Sequence, residues 1–192
     1  MSLDGFVAGP NQSVEDPLGE GAEVLHRWMF ERREENLAEV EAIVDAGAFI
    51  MGRNMFGPVR GEWDDFEWRG WWGEDPPYHA PVFVLTHHPR PPAEMEGGTT
   101  FHFVTEGIDS ALTSAKEAAG DRSVAIAGGA ETVRQYLNAG AIDELRLHIA
   151  PVLLGSGERL LEGLGGVEFE TLGVRGNELV THLNLRVLGR RE

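Results

Sequence analysis

Two adjacent glycines, Gly128 and Gly129, stand where a short apolar run ends and a helical pattern begins. The run 124–127 is typical of a strand buried on both faces, and residues 131–138 have the spacing of a helix that Gly140 ends. Paired glycines let another group approach the main chain closely, and a helix N-terminus favours an anion. The stretch indicates either the binding site of a cofactor's pyrophosphate or a tight turn without a ligand, and it lacks the GxGxxG pattern.

Two further polar residues come at the ends of apolar runs. Arg53 directly follows residues 48–52, and Thr86 ends residues 82–86. A guanidinium fork suits a phosphate, in particular the 2′-phosphate that separates NADPH from NADH, and the alternative for Arg53 is a surface ion pair. The Thr86 hydroxyl is expected to face the same ligand. Of the loop that follows Thr86, three basic residues either touch the adenosine phosphate or are exposed: His87, His88 and Arg90.

Two titratable residues are candidates for proton transfer. Asp4 has apolar neighbours in the chain that could raise its pKa, which would suit a group that orients or protonates a substrate. It is otherwise a turn residue before Gly5. His148 lies on the polar side of an alternating run, with Pro151 just beyond it, and either donates a proton near neutral pH or is a hydrogen-bonded residue of the sheet face.

Residues 57–81 form a predicted loop that contains four of the five tryptophans. Long structureless loops are unusual in compact domains and are often functional. The aromatic residues, among them Trp63 and Trp71, either line a substrate pocket, cover the core or form a subunit interface.

These candidates need a framework of short strands and helices to bring them together. Strand–helix units come first and a β-rich tail follows, which predicts an α/β sheet, mostly parallel, with an antiparallel C-terminal edge. A helical pattern covers 23–46, where the charged residues 31–36 either face solvent or separate two helices. A second helix is predicted over 109–119, and the last strands over 167–172 and 179–187. We expect a single domain over residues 1–192.

Composition excludes several classes of protein. The formal net charge of the 192 residues is −16, which argues against nucleic acid or an anionic membrane as a partner. The absence of cysteine excludes disulfides, thiolate nucleophiles and cysteine-ligated metal. The seven histidines lack a metal-ligand spacing, so no metal site is expected. No membrane span or signal peptide is recognisable, and a cytoplasmic location is the expectation.

Taken in order, these segments resemble the dihydrofolate reductase-like superfamily, and within it the group related to the reductase domain of the bifunctional riboflavin-biosynthesis deaminase–reductase. The resemblance is carried by four motifs: SLDGFVA at 2–8, IMGRNMFG at 50–57, VFVLT at 82–86, and AIAGGAETVRQYLNAGAIDELRLHIAPVLLGSGERLL at 125–161. It implies a doubly wound, mostly parallel sheet with helices on both faces, NADPH as cofactor, and often a homodimer.

The family's motifs also imply which residues serve the ligands. Those expected to bind the cofactor are Gly52, Arg53, Asn54, Met55, Leu85, Thr86, His87, Gly128, Gly129, Ala130, Glu131 and Thr132. Those expected to contact the substrate are Asp4, Trp63, Trp71 and Pro151, with Asp4 and His148 as catalytic candidates.

The chain departs from the family pattern at two places. Met55 replaces the threonine of the family's Gly-Arg-x-Thr motif, which removes a hydroxyl that would bind phosphate. The family also has a strand before residues 2–8, so either the chain starts upstream or the sheet lacks a member unless something replaces it. The zinc signature of the deaminase half is absent from the sequence.

The sequence therefore predicts an NADPH-dependent reductase that transfers hydride to a small planar molecule, pterin-like or ribosylaminopyrimidine-like. Two other classes stay open on the same fold. One is a nucleotide-binding module without catalysis, and the other is a structural homodimer.

Overall fold

The computed structural model describes residues 1–57, 61–63 and 68–190. The chain forms two compact units: one contains Met1–Leu37 and Val133–Glu192, and the other contains Ala38–Thr132. We call them the antiparallel-sheet unit and the parallel-sheet unit. The prediction of a single domain over residues 1–192 stays a prediction.

The parallel-sheet unit is built on five short strands. In chain order they are β2 (Ala48–Gly52), β3 (Pro81–Leu85), β4 (Ala93–Glu94), β5 (Thr100–Val104) and β6 (Val124–Gly128). Their order in the sheet is β4-β5-β3-β2-β6, and all neighbours are parallel except the pair β4 and β5. Parallel strands need crossover connections, which explains why helical segments alternate with these strands along the chain.

The core of this unit lies under the middle strands. Its largest fully buried side chains include Phe49, Phe56 and Phe101. Helix α4 (Ile108–Ala119) packs on β2 and β3 through alanines spaced four residues apart, at positions 111, 115 and 119. Because alanine is small, this face lets the helix backbone come close to the sheet.

The antiparallel-sheet unit has its own hydrogen-bonded strands. A three-stranded sheet has the order β7-β10-β9, formed by β7 (Glu144–Ile149), β9 (Val167–Asn177) and β10 (Val180–Arg190). A separate antiparallel pair joins β1 (Phe6–Ala8) to β8 (Glu158–Arg159). Ala22, Leu25 and Ala150 form a small buried cluster here.

The remaining helices are short. They are α1 (Arg27–Glu31), α2 (Leu37–Val44), α3 (Arg53–Phe56) and α5 (Ala130–Asn138), with 3₁₀ turns at Glu23–His26, Glu34–Asn36 and Glu96–Gly98. Both alternatives for the charged residues 31–36 apply: the segment separates two helices, and residues 31–35 are exposed while Asn36 is buried. The apolar face predicted for α5 is buried at Val133, Tyr136 and Leu137.

The predicted fold class is confirmed: a mixed α/β chain with a mostly parallel sheet, helices and an antiparallel C-terminal sheet. One expectation about burial is wrong. Residues 124–127 are only half-buried, because β6 hydrogen-bonds to β2 alone among the described strands and is the outer strand of its sheet. Within the described ranges, no helix is long and apolar enough to cross a membrane.

Candidate functional site

Three predicted ligand segments meet at one edge of the parallel sheet. Strands β2, β3 and β6 run in the same direction and end at Gly52, Leu85 and Gly128. The register pairs Gly52 with Leu85, and Met51 with Gly128, so the three strand ends lie side by side. The carboxyl ends of parallel strands are where open α/β sheets bind ligands.

The glycine pair presents bare main chain at this edge. A Cβ atom built on Gly129 would meet nothing within 4 Å, and one built on Gly128 would meet only Met55 Sδ, at 3.9 Å. Gly128 has a φ of +123°, which side-chain-bearing residues rarely adopt, and the peptide bond between the two glycines is cis. No described side chain fills the space beside the two glycines, and helix α5 begins directly after them, at Ala130.

At Gly52, the absence of a side chain leaves room for the side chain of Thr132. A Cβ atom built on it would lie 2.5 Å from Thr132 Oγ1 and 3.7 Å from the Gly129 nitrogen. The buried Thr132 hydroxyl therefore stands against the end of β2. Ala130 is buried beside it in α5, whereas Glu131 is exposed.

Arg53 lies where the sequence predicts a phosphate-binding fork. Its NH1 group donates to the Gly61 carbonyl at 2.7 Å and to Thr86 Oγ1 at 3.4 Å. Its Cζ atom lies 3.3 Å from the centroid of the Trp63 ring. The guanidinium thus joins the segment after β2 to the segment after β3, while the next two residues of the motif, Asn54 and Met55, are exposed.

The segment after β3 is held by hydrogen bonds of the Thr86 nitrogen and hydroxyl. The Thr86 nitrogen donates to Val104 O at 3.0 Å, and Thr86 Oγ1 accepts a hydrogen bond from the His88 nitrogen at 3.2 Å. The hydroxyl that was expected to face a ligand is therefore already engaged in the turn. His87 is exposed, and His88 Nδ1 lies 3.1 Å from the Glu62 carboxylate.

Arg90 is buried among aromatic rings, so the alternative of an exposed loop residue is wrong for it. It is 8% exposed and donates to the Trp68 carbonyl at 2.6 Å. Its Cζ atom lies 5.0 Å from the Phe103 ring centroid and 4.9 Å from that of Trp63. These contacts make Arg90 part of the packing beneath the loop.

Two of the loop tryptophans cover the core of the parallel-sheet unit. Trp63 meets Phe56 and Phe103 edge-on, and Trp68 Nε1 donates to Phe56 O at 3.0 Å. Trp71 packs against Trp68 with ring centroids 4.8 Å apart. Residues 58–60 and 64–67 of the predicted loop lie outside the described residues. Roles for Trp63 and Trp71 in substrate binding stay predictions.

Asp4, in the antiparallel-sheet unit, binds main-chain N–H groups through its carboxylate. Its carboxylate accepts hydrogen bonds from the Leu154 nitrogen at 3.1 Å and the Gly155 nitrogen at 2.8 Å. The Ser2 hydroxyl is the largest cause that lowers the pKa of Asp4, to about 2, and the two main-chain donors act in the same direction. The expectation that apolar neighbours raise this pKa is wrong. At neutral pH the group is an anion that accepts hydrogen bonds and has no proton to donate.

His148 belongs to a hydrogen-bonded cluster that the sequence did not reveal. Its Nδ1 atom lies 2.7 Å from His182 Nδ1, and His182 Nε2 lies 2.9 Å from Asn36 Oδ1. Trp28 covers both histidine rings, at centroid distances of 4.8 and 5.0 Å. His182 and Asn36 are buried. The only sequence signal for His182 is its place in the alternation of the last strand, because its partners lie far away in the chain.

Two further predictions concern Pro151 and metal binding. Pro151 is exposed just after β7, and its role as a substrate contact stays a prediction. In the part of the chain that the structure describes, no three histidine or acidic side chains lie together in a group that could hold a metal ion.

These features define an α/β protein with an uncovered glycine pair at the carboxyl ends of its parallel strands. Residues 1–185 match the family model of the RibD C-terminal domain, and the chain belongs to that family. The predicted family resemblance is thereby confirmed. No curated protein sequence matches the chain.

Solved structures with the same fold are distant in sequence. A protein from Shewanella sp. PV-4, described as a riboflavin biosynthesis protein, is 21% identical with a TM-score of 0.65, over 97% of this chain and 94% of its own. A pyrimidine reductase-like protein from Corynebacterium diphtheriae is 14% identical with a TM-score of 0.57, over 100% of this chain and 90% of its own.

A third structure is larger. It is the diaminohydroxyphosphoribosylaminopyrimidine deaminase/5-amino-6-(5-phosphoribosylamino)uracil reductase of Thermotoga maritima, 17% identical with a TM-score of 0.58 over 97% of this chain. This chain spans 54% of the length of that protein. At these identities the likeness establishes the shared fold.

Proposed function

We propose that this protein is an NADPH-dependent reductase of a small pyrimidine-like or pterin-like molecule. The observation that carries the proposal is the open main-chain edge at Gly128 and Gly129, where a Cβ atom on Gly129 would point into empty space. Family membership supports the reductase class, and the uracil reductase named for the Thermotoga maritima protein supports a ribosylaminopyrimidine as the substrate type.

The residues at this edge fit a dinucleotide cofactor. Bare amides beside the start of α5 suit a diphosphate, because unpaired N–H groups and the helix dipole favour an anion. Arg53 follows β2, the strand next to the glycine strand, and the turn at Thr86 follows β3, the strand beyond it. A guanidinium in this position suits the 2′-phosphate. The formal charge of −16 does not oppose this, because contacts at hydrogen-bond distance outweigh charges screened over about 8 Å.

When bound, the nicotinamide supplies the hydride. The chain's residues then bind, orient and protonate. Asp4 is ionised, so within this proposal it positions the chain at Gly155 and leaves proton donation to another group. His148 stays the predicted proton donor, with its ring held by His182 and Trp28; it would donate as the imidazolium, because the one proton of its neutral form is donated to His182.

A second candidate function is a nucleotide-binding module without catalysis. Met55 favours it, since an exposed thioether stands where the family motif supplies a hydroxyl. Such a module would bind NADPH and oxidise none of it in the presence of any substrate.

The test is titration of the full chain with NADPH and NADH, followed by NADPH oxidation with dihydrofolate and with a ribosylaminopyrimidine. Arg53→Ala is expected to weaken NADPH roughly ten- to a hundredfold while changing NADH little, as for loss of one or two charge-assisted hydrogen bonds. Arg122→Ala is the matched control, since Arg122 is exposed just before β6, at the opposite end of the strands. Absence of NADPH binding would refute the proposal, and binding without turnover would favour the module.

A further inference from the structure

Trp63 contacts the segments that follow β2 and β3, the two strands on one side of the glycine strand β6. Its ring lies beneath the Arg53 guanidinium, with 3.3 Å between Cζ and the ring centroid. Its Nε1 group donates to the His88 carbonyl at 2.8 Å, in the turn that also holds Thr86. One indole therefore links the residue after β2 to the turn after β3.

Other aromatic and cationic side chains also hold the ring in place. Phe56 and Phe103 meet it edge-on, with centroids 6.0 and 5.2 Å away. The buried Arg90 lies 4.9 Å from its centroid. Because Trp63 is fixed by packing and by its hydrogen bond, it can serve as a rigid support for a flexible side chain.

A guanidinium stacked on an aromatic face keeps its N–H donors directed outward in its own plane. NH1 of Arg53 donates to Gly61 O and to Thr86 Oγ1, and these bonds fix the orientation of the guanidinium over the ring. An arginine already ordered in this way loses less conformational freedom when it binds a phosphate than one extended into solvent.

We infer that Trp63 is a positioning residue that sets the preference for a nicotinamide cofactor carrying a 2′-phosphate, by holding Arg53 in its binding conformation. The inference rests on the proposed function and deepens it. It also places Trp63 with the cofactor and away from the substrate role that the sequence suggested. No covalent step is involved.

The experiment compares the dissociation constants of NADPH and NADH, measured by calorimetry, for the full chain and for Trp63→Leu and Trp63→Phe. Removing the stacked face in Trp63→Leu is expected to weaken NADPH roughly 3- to 30-fold, the range for a cation–π contact, and to leave NADH within about twofold. Trp63→Phe keeps a ring under the guanidinium, so more of the preference should remain. Trp72→Leu is the loop control, because Trp72 is 54% exposed.

A double-mutant cycle separates positioning from packing. In the Arg53→Ala background, Trp63→Leu should cause no further change in the ratio of the two constants. An unchanged ratio in both Trp63 variants, or an equal loss of both cofactors, would overturn the inference. If Trp63→Leu does not fold by circular dichroism, Trp63→Phe and its cycle with Arg53→Ala decide. A wild-type chain that binds neither cofactor would instead refute the proposed function, which makes the two failures distinguishable.

Discussion

Asn36 determines which atoms donate and which accept in the hydrogen bonds that link it to His182 and His182 to His148. The Asn36 amide nitrogen donates to the carbonyls of Trp28 and Arg32, at 3.2 and 2.7 Å, so the amide oxygen faces His182. That oxygen can only accept, and His182 Nε2 at 2.9 Å must therefore carry the proton. In neutral His182 the Nδ1 atom is then the acceptor, and His148 Nδ1 is the donor across 2.7 Å.

This geometry predicts the tautomers of both rings. In nitrogen-15 NMR of the full chain at neutral pH, His182 should show a protonated Nε2 and His148 a protonated Nδ1. The exposed His87 should show an exchange average of the two forms. If His182 were found with its proton on Nδ1, this assignment of donors and acceptors would be wrong.

Asn36→Leu tests the energetic weight of the same contact. The variant removes the acceptor of a buried His182 N–H and the donor to two carbonyls. Buried groups left without a partner cost about 1–3 kcal/mol, so the free energy of unfolding in urea should fall by about that amount. Asn184→Leu is the control, because Asn184 is exposed on β10, and should change stability by about 0.5 kcal/mol or less. Equal losses in the two variants would contradict the prediction.

The strands and glycine turns could be predicted because their signals are local. Apolar runs of four or five residues that end in glycine or threonine became β2, β3 and β6, and the parallel register placed their ends together. The alignment of the segments predicted to bind the cofactor follows from this topology. The one error of burial, at β6, arose because sequence does not show which strand is outermost.

The errors at the candidate site arose from partners distant in the chain. Apolar neighbours in sequence suggested a raised pKa for Asp4. The Ser2 hydroxyl, close in sequence, is the largest cause that lowers this pKa, and the main-chain donors that add to it lie about 150 residues away, at Leu154 and Gly155. His182 and Asn36 are separated by 146 positions, and no local pattern joins them. The loop pattern singles out Trp63, but it does not show the contacts of this residue with Arg53 and the His88 carbonyl.

The lowered pKa of Asp4 predicts a pH dependence of stability. The folded-state value is about 2 against 3.8 for the ordinary side chain, so its contribution to stability is present above pH 3.8 and is lost as the pH falls toward 2. Wild type should exceed Asp4→Asn in unfolding midpoint at pH 6, and the difference should shrink between pH 4 and pH 2.

The comparison is made by urea unfolding across this range. Asp121→Asn, at an exposed turn position, is the control and should show no such trend. A difference between wild type and Asp4→Asn that stays constant down to pH 2 would mean that the carboxylate charge is not what stabilises the turn at Gly155.

Gly52→Ala should destabilise the free protein through one contact. The new methyl carbon would lie 2.5 Å from Thr132 Oγ1, but 3.8 Å from Thr132 Cβ. Overpacking of this kind costs about 1–3 kcal/mol, and Thr132→Ala in the same chain should restore most of the loss. Thermal unfolding of the two single variants and the double variant measures this coupling. Additive losses would show that the close approach of Thr132 is not the cause.

Gly129→Val, in contrast to Gly52→Ala, is expected to leave the free protein folded and to prevent cofactor binding. Its Cβ atom would meet nothing within 4 Å in the free protein, so the variant should fold with a circular dichroism spectrum like that of wild type. The added side chain would occupy the space where bare amides are proposed to hold the diphosphate, and both NADPH and NADH should be lost together. This separates it from Arg53→Ala, which should affect NADPH alone. Undiminished affinity for either cofactor in the folded variant would remove the diphosphate from this corner, because a side chain and a ligand cannot fill the same space.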